Sequence, residues 1–355
     1  MKKCLLSIAI CLLLVVGVVF CVASCDNREP EPQKHTVSFD LDGGTGDIPA
    51  QEIIDGKKAT KPEDPTRAGY KFLGWYFGDD EWSFIGYFVT EDMTLSAKWE
   101  KIVTKDLSYK LSPDRTYYIV DGLSILCKDE EIVIPDNYNN LPVKEIGSFA
   151  FNGCTTLKSI TIPDSIISIG NNAFTDCINL KSINIPSNIT NIGDYAFKYC
   201  TKLESIILGD GVTSIGDYSF YGCYSLTSFT IPNSITNIGY GMFSGCASLE
   251  NVHIGDKVTN IDSTAFEGCT NLTSITIPDS VTSIGYGAFE DCTSLISVTI
   301  PDSVTKIGGS AFEGCTSLAN IKYRGTEEQW NNISKDYHWD YKAGQYTITY
   351  NYDGE

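Results

Sequence analysis

Eight cysteines, Cys154, Cys177, Cys200, Cys223, Cys246, Cys269, Cys292 and Cys315, follow one another at a spacing of 23 residues without a slip. A phenylalanine stands three residues before each, from Phe151 to Phe312, and a leucine three after each, from Leu157 to Leu318. Aliphatic positions recur between them, as in Ile275, Ile277, Val281 and Ile284. Such columns demand a solenoid of stacked coils, because one unit is too short to close a core and buries its apolar edge only against its neighbours. At the ~4.8 Å spacing of adjacent strands, eight coils make a rod or shallow arc about 40 Å long, with one extended side and no deep pocket.

The 355-residue chain carries 26 Lys and Arg against 45 Asp and Glu, a formal net charge of −19. Nucleic acid is therefore not an expected partner, since phosphate binding needs clustered cations. The three histidines, His35, His253 and His338, are scattered. No Ser-His-Asp arrangement, phosphate-binding glycine loop or HExxH motif accompanies them, so a non-enzymatic chain with no catalytic residue, cofactor or metal ligand is expected.

Residues 1–25 read as a targeting segment. Lys2 and Lys3 precede an apolar run from Leu5 to Val22, which Val22-Ala23-Ser24-Cys25 closes. An uncleaved transmembrane helix is the alternative, but the basic start, moderate length and small residues before a cysteine fit a signal peptide. The tetrapeptide resembles the lipobox of bacterial lipoproteins, which implies that Cys25 becomes the lipidated first residue of the mature chain and its link to the membrane. Cys4, Cys11 and Cys21 would leave with the signal, and residues 26–34 are expected to form a polar, semi-extended tether.

Residues 35–100 lack the period. HTVSFDLDGGTGDIP reads as an alternating strand followed by a glycine turn, and aromatic-rich strands separated by Pro and Gly follow it. The pieces Phe39-Asp40 with Gly43-Gly44-Thr45, Pro62-Glu63-Asp64-Pro65, Gly69-Tyr70-Lys71-Phe72 with Gly74-Trp75-Tyr76, and Leu95-Ser96-Ala97-Lys98-Trp99 resemble an internalin-type B repeat (Listeria-Bacteroides repeat). That resemblance implies a small β-grasp-like module of bacterial surface proteins. Asp40, Asp42 and Asp47 lack the downstream bidentate glutamate of a calcium loop. Trp75, Tyr76 and Trp99 are expected in the core, where aromatics supply most of the buried area of so small a domain.

Residues 101–145 read as an N-terminal cap in which an extra stretch, Asp136 to Leu141, should bulge. Residues 146–322 carry the coils. Residues 323–355 read as a C-terminal cap, with Trp330 and Ile333 covering the last coil and a strand within residues 341–350. In its cleanest form, CTNLTSITIPDSVTSIGYGAFED, the unit resembles the BspA-like leucine-rich repeats of bacterial surface proteins. The expected fold class is mainly β, a small β-grasp-like domain followed by a leucine-rich repeat solenoid of about eight 23-residue coils. The resemblance implies a cell-surface protein that adheres to host matrix proteins or other cells. A glycan-binding module of a nutrient-capture system is the competing reading. The unit departs from better-known leucine-rich repeats at the asparagine position, which here holds Ser165, Ser234, Ser280 and Ser303.

The repeat cysteines lack the close pairs of a zinc site, and in-register side chains point in parallel, which disfavours a disulfide ladder. Buried thiols are expected; Cys127 has no evident partner. Two outward stripes are candidates for binding. Ser205, Ser228, Asn251, Ser274 and Ser297 form one strand column, with Thr230, His253, Thr276 and Thr299 beside it, although exposed strands carry such residues anyway. Tyr195, Tyr199, Tyr218, Tyr221, Tyr224 and Tyr240 cluster around coils three to five, outside the core columns. They are the candidate partner-binding residues, because tyrosine offers large contact area at small entropic cost; the other reading is a ladder of half-exposed rings that serves stability. Glu267, Glu290 and Glu313 recur on consecutive coils and read as solvated turn residues.

Overall fold

A computed structural model describes residues 31–353 except 68, 103, 105 and 124–128. Cys25, Cys127 and the signal segment lie outside the described residues. The described residues divide into two compact units, one running up to residue 65 and including 74–98, the other comprising 66–73 and the residues from 99 onward.

The non-periodic region forms one mixed sheet. Its strands are β1 (Lys34–Asp40), β2 (Gln51–Ile54), β3 (Tyr70–Phe77), β4 (Asp80–Glu81) and β5 (Met93–Lys101), in the order β2-β1-β5-β3-β4. β1 and β5 run parallel, Val37 opposite Met93 and Phe39 opposite Leu95. The alternation of β1 turns His35 and Val37 inward, as a period of two requires. Trp75 is buried and meets Phe39 edge-on, the ring centroids 4.9 Å apart.

The repeats form a β-solenoid of about ten turns. In one coil, strand Ser274–Thr276 ends at the Ile277-Pro278 step, where proline has no amide to donate; Val281 N–H closes the following turn on the Pro278 carbonyl at 3.1 Å. A two-residue strand, Ser283–Ile284, follows, and then an irregular arm carrying Ala288 and Phe289. Neighbouring coils pair parallel and in register at the repeat offset, Ser274 with Ser297 and Ser283 with Lys306. The arm supplies its own ladder: Phe266 N–H donates to the Ala288 carbonyl and Phe289 N–H to the Ala311 carbonyl, both at 2.8 Å.

The phenylalanine column explains the cysteine column. Phe174, Phe197, Phe220, Phe243, Phe266 and Phe289 are fully buried, and successive rings stack with centroids 5.1 to 5.6 Å apart. Each Phe carbonyl accepts the Cys N–H of its own coil, as from Cys223 to Phe220 at 3.1 Å. Its second lone pair takes a thiol from the next coil: Cys246 Sγ–H donates to Phe220 O at 3.2 Å. Seven such bonds, from Cys177 to Phe151 through Cys315 to Phe289, run the length of the stack at 3.1 to 3.3 Å. A small, apolar side chain that still donates fits a buried carbonyl with capacity to spare.

Serine takes over the asparagine position in the same manner. Ser280 and Ser303 donate to the Val258 and Val281 carbonyls of the preceding coil at 2.5 and 2.7 Å, and Ser234 makes the equivalent bond to Val212. The extra N-terminal stretch is a hairpin: Asn137–Tyr138 pairs antiparallel with Leu141–Ile146 across Asn139 and Asn140, both at positive φ. At the other end helix α1 (Glu327–Asn332), with a capping box between Thr326 and Gln329, buries Trp330 on the last coil. Strand Thr347–Thr349 then pairs with Asn320–Lys322.

Burial pushes the Cys246 thiol up to about 12 and those of Cys200, Cys223, Cys269 and Cys292 well above the ordinary range. An unfolded thiol ionises near 8.5. The native state keeps its protons where the unfolded state has lost them, so this contribution to stability is complete below about pH 8.5 and drains away as pH rises towards 12. Urea midpoints measured across that window should fall with pH, and less steeply in Cys246→Ala. The same variant should lose about 1–3 kcal/mol near pH 7, for a cavity and a half-satisfied carbonyl. Thiols that react with iodoacetamide in the native protein at neutral pH would contradict this burial.

Candidate functional site

The irregular arm passes through the left-handed region of backbone space twice per coil, five residues and one residue before each cysteine. The two positions are filled differently. The first column is mixed, with Asn172, Gly241 and Gly287 but also Phe149, Thr264 and Ser310, whereas the second holds Gly153, Gly222, Gly245, Gly268 and Gly314 with Asp176 and Asp291, all at positive φ. Three candidate residues, Tyr195, Tyr199 and Tyr218, sit there with φ of 56°, 57° and 54°, Tyr195 and Tyr218 in the mixed column and Tyr199 in the column that is otherwise glycine or aspartate. A bulky residue in this region is an outlier that costs on the order of 1 kcal/mol or more.

Ring contacts offset part of that cost. Tyr195 and Tyr218 stack with centroids 5.2 Å apart and planes 2° from parallel. Tyr199 meets Tyr221 edge-on at 5.2 Å. The next coil offers flat seats: a Cβ on Gly222 would lie 2.5 Å from the Tyr199 ring, and one on Gly241 would collide with the Tyr218 ring. Lys198 completes the group, its Nζ 5.3, 5.1 and 5.7 Å from the centroids of Tyr195, Tyr199 and Tyr221. Tyr221 is held above the usual phenol range, chiefly by its hydrogen bond with Tyr199. These four tyrosines are half-buried. Tyr224 and Tyr240 stay 48% exposed, and among the described residues no ring contact joins them to the four. Lys198 was not singled out from sequence; its place between Phe197 and Tyr199 in the arm was the available signal.

The acid column stands apart from this patch. Burial, then the charges of Glu267 and Glu313, raises the Glu290 carboxyl. Ser244 and Ser310 donate to Glu267 and Glu313 at 3.2 and 2.7 Å. Among the described residues no group of three His, Cys, Asp or Glu side chains converges as a metal ion requires.

The strand face holds two clefts that the sequence reading missed. The proline that ends each strand, seen at Pro163, Pro186, Pro232, Pro278 and Pro301, is replaced by Gly209 and Gly255 in two coils. Those turns tuck against the coil before them: a Cβ on Gly209 would lie 2.5 Å from Ser187 backbone, and one on Gly255 would lie 2.9 Å from the Ile231 carbonyl oxygen. On the far side the ladder opens. Ser205–Leu208 pairs with Ser182–Ile185 but not with Ser228–Thr230, and Asn251–His253 pairs with Ser228–Thr230 but not with Ser274–Thr276. Clefts of about 590 and 600 Å³ open at these two interruptions. A third interruption, between Ser159–Thr161 and Ser182–Ile185, follows a proline coil and lines neither cleft.

Comparison with known proteins gives the following likenesses. The profile of the BspA type leucine rich repeat region matches residues 126–250 and 237–337, more than half of the chain. The Listeria-Bacteroides repeat domain matches residues 35–98. A protein of Evansella cellulosilytica provisionally named a membrane protein is 41% identical over 69 residues, 19% of this chain and 10% of that protein. The chain thus spans about a tenth of the length of the curated relatives it matches. Among solved structures, the T. pallidum leucine rich repeat protein is 28% identical and covers 69% of this chain and 100% of its own, with a TM-score of 0.46. A leucine-rich repeat protein from Bacteroides ovatus is 23% identical over 70% of this chain and 99% of its own, with a TM-score of 0.35.

The strained tyrosines allow a stability test. Tyr199→Gly relieves roughly 1 kcal/mol of backbone strain and loses roughly the same in ring contacts, so its urea midpoint should stay close to wild type. Phe197→Ala, two residues away in the packed column, should cost about 3–5 kcal/mol. Comparable losses in the two variants would show that the tyrosine serves packing.

Proposed function

This chain belongs to the BspA type leucine-rich repeat family, and from that premise we propose that it is a lipid-anchored cell-surface protein that binds a protein ligand in adhesion. The observation that carries the binding reading is the tyrosine patch. Three bulky residues hold left-handed backbone conformations, Tyr199 in a column that other coils give to glycine or aspartate, and strain of this kind is retained where a side chain is needed for something other than folding. Half-buried, mutually stacked rings lose little conformational entropy when a partner covers them, which is the property that makes tyrosine a frequent interface anchor. Tyr224 and Tyr240 add exposed ring area beside them. The Cys25 anchor rests on the Val22-Ala23-Ser24-Cys25 sequence.

Arrays of extracellular-matrix proteins and of glycans, probed in parallel, separate protein adhesion from glycan capture. The combined variant Tyr195→Ser, Tyr218→Ser, Tyr221→Ser and Tyr224→Ser should lose about 2 kcal/mol or more of binding, roughly thirtyfold in affinity, with a nearly unchanged melting transition. If instead stability drops while the folded fraction binds as before, the patch is structural. Cys25→Ser should remain unprocessed or lose fatty-acid label; full processing with normal labelling would remove the anchor from this reading.

A further inference from the structure

The two strand-face clefts are copies of one another at an offset of two coils. Leu208, Asp210, Ser228, Thr230, Pro232 and Ser234 line the first, and Ile254, Asp256, Ser274, Thr276, Pro278 and Ser280 line the second in the same order. His253 borders both. Both clefts follow coils in which glycine stands for proline, Gly209 and Gly255, whose turns lie close to the preceding coil and whose strands are unpaired with the following one. Two coils at the ~4.8 Å strand spacing place equivalent points about 10 Å apart along the stack.

A ligand that fills both clefts equally must present like groups at that interval and on one side. An extended β-strand does not, since residues on one face recur about every 6.7 Å and residues three apart point to opposite faces. A polyproline II chain does: with three residues per turn and 3.1 Å per residue, every third side chain recurs on one face after about 9.3 Å. Its backbone has no internal hydrogen bonds, so its carbonyls are open to the hydroxyl and amide columns of Ser228, Asn251, Ser274, Thr230 and Thr276. An α-helix repeats near 10.5 Å every seventh residue, but its backbone is internally bonded and it docks through an apolar groove, which this polar face does not offer.

Charge selects the recurring group. Asp210 and Asp256 are exposed and, among the described residues, in no ion pair. The remaining acid of the second cleft, Asp279, is paired with Arg324. Each cleft thus keeps one unpaired carboxylate beside an apolar wall, Ile207 and Leu208 in the first and Val252 and Ile254 in the second. That combination suits a lysine or arginine, whose methylenes pack on the wall while its cation meets the acid. We propose that the paired clefts bind a proline-rich polypeptide in polyproline II conformation, with a basic residue at every third position.

The test uses the intact protein and labelled peptides, read by fluorescence anisotropy at low and physiological salt. A peptide of repeating Pro-Pro-Lys triplets should bind more tightly than one alternating Pro and Lys, one with Lys at every fourth position, or a helical peptide with Lys at every seventh. Asp210→Asn and Asp256→Asn should each weaken the triplet peptide about two- to fivefold, as expected for one exposed charge pair, and Thr230→Arg should weaken it further by placing a cation in the first cleft. All three changes are on the surface, and unchanged circular dichroism and melting would confirm the fold. No binding of the triplet peptide, equal binding of the other spacings, tighter binding of the helical peptide or of a linear β-linked glycan, or affinity indifferent to both Asn variants would each overturn the proposal. The four-tyrosine variant should bind the triplet peptide as wild type does, so this proposal and the adhesion reading of the tyrosine patch can fail separately.

Discussion

Each coil leaves hydrogen-bonding groups that only the next coil can satisfy, and the rest of the molecule follows from that dependence. The Phe220 carbonyl shows it at one atom. Its own coil supplies one donor, Cys223 N–H, and the next supplies the second, Cys246 Sγ–H. Phe220 N–H in turn donates to Met242 O at 3.0 Å in that next coil. A buried polar group left unmet costs about 1–3 kcal/mol, so a shift of one residue anywhere in the stack would leave amides, carbonyls and thiols unmatched together. The 23-residue spacing is thus fixed by backbone chemistry as much as by apolar packing.

The same dependence sorts the columns into those that tolerate variation and those that do not. Phe, Cys and Leu columns face their own kind above and below, and a change in one coil is felt by two others. The strand-end and arm columns lie outside the packed core, so Gly209 and Gly255 stand in for proline, and Tyr195, Tyr199 and Tyr218 occupy left-handed positions, without disturbing the register of Ile206, Phe197 or Phe220. Both departures alter the surface while the core stays periodic. Variation confined to such columns is how a repetitive fold acquires a local site.

Much of this was legible in the residues. Strand columns, proline turns, the buried Phe, Cys and Leu positions and the covering role of Trp330 follow from periodicity and from which side chains avoid water. What stayed hidden depends on geometry that periodicity does not encode. The acceptor of each thiol lies 26 residues back in the chain, not at the 23-residue offset, because the cysteine of one coil reaches the phenylalanine carbonyl of the coil before it. The sign of φ at Tyr195 and Tyr199 could be inferred only by noticing that glycine fills the same columns elsewhere. The extra stretch at Asp136 to Leu141 was visible as an insertion, while its closure into a hairpin depended on two consecutive asparagines accepting the left-handed region.

The paired clefts illustrate why substitution away from a repeat's consensus tells more than the consensus does. A proline at the strand end fixes φ and removes a donor, which keeps successive turns alike. Glycine removes both restrictions, and the turn moves until the absence of a side chain is used up against the preceding coil, at Ser187 in one case and at Ile231 and Asn233 in the other. The strand after each glycine coil pairs onward with its own successor and not with the glycine coil's strand, and a cleft lies between the two. Two glycines two coils apart thus accompany two openings in phase. The spacing of the departures, and not their number, sets the interval that a bound chain would have to match.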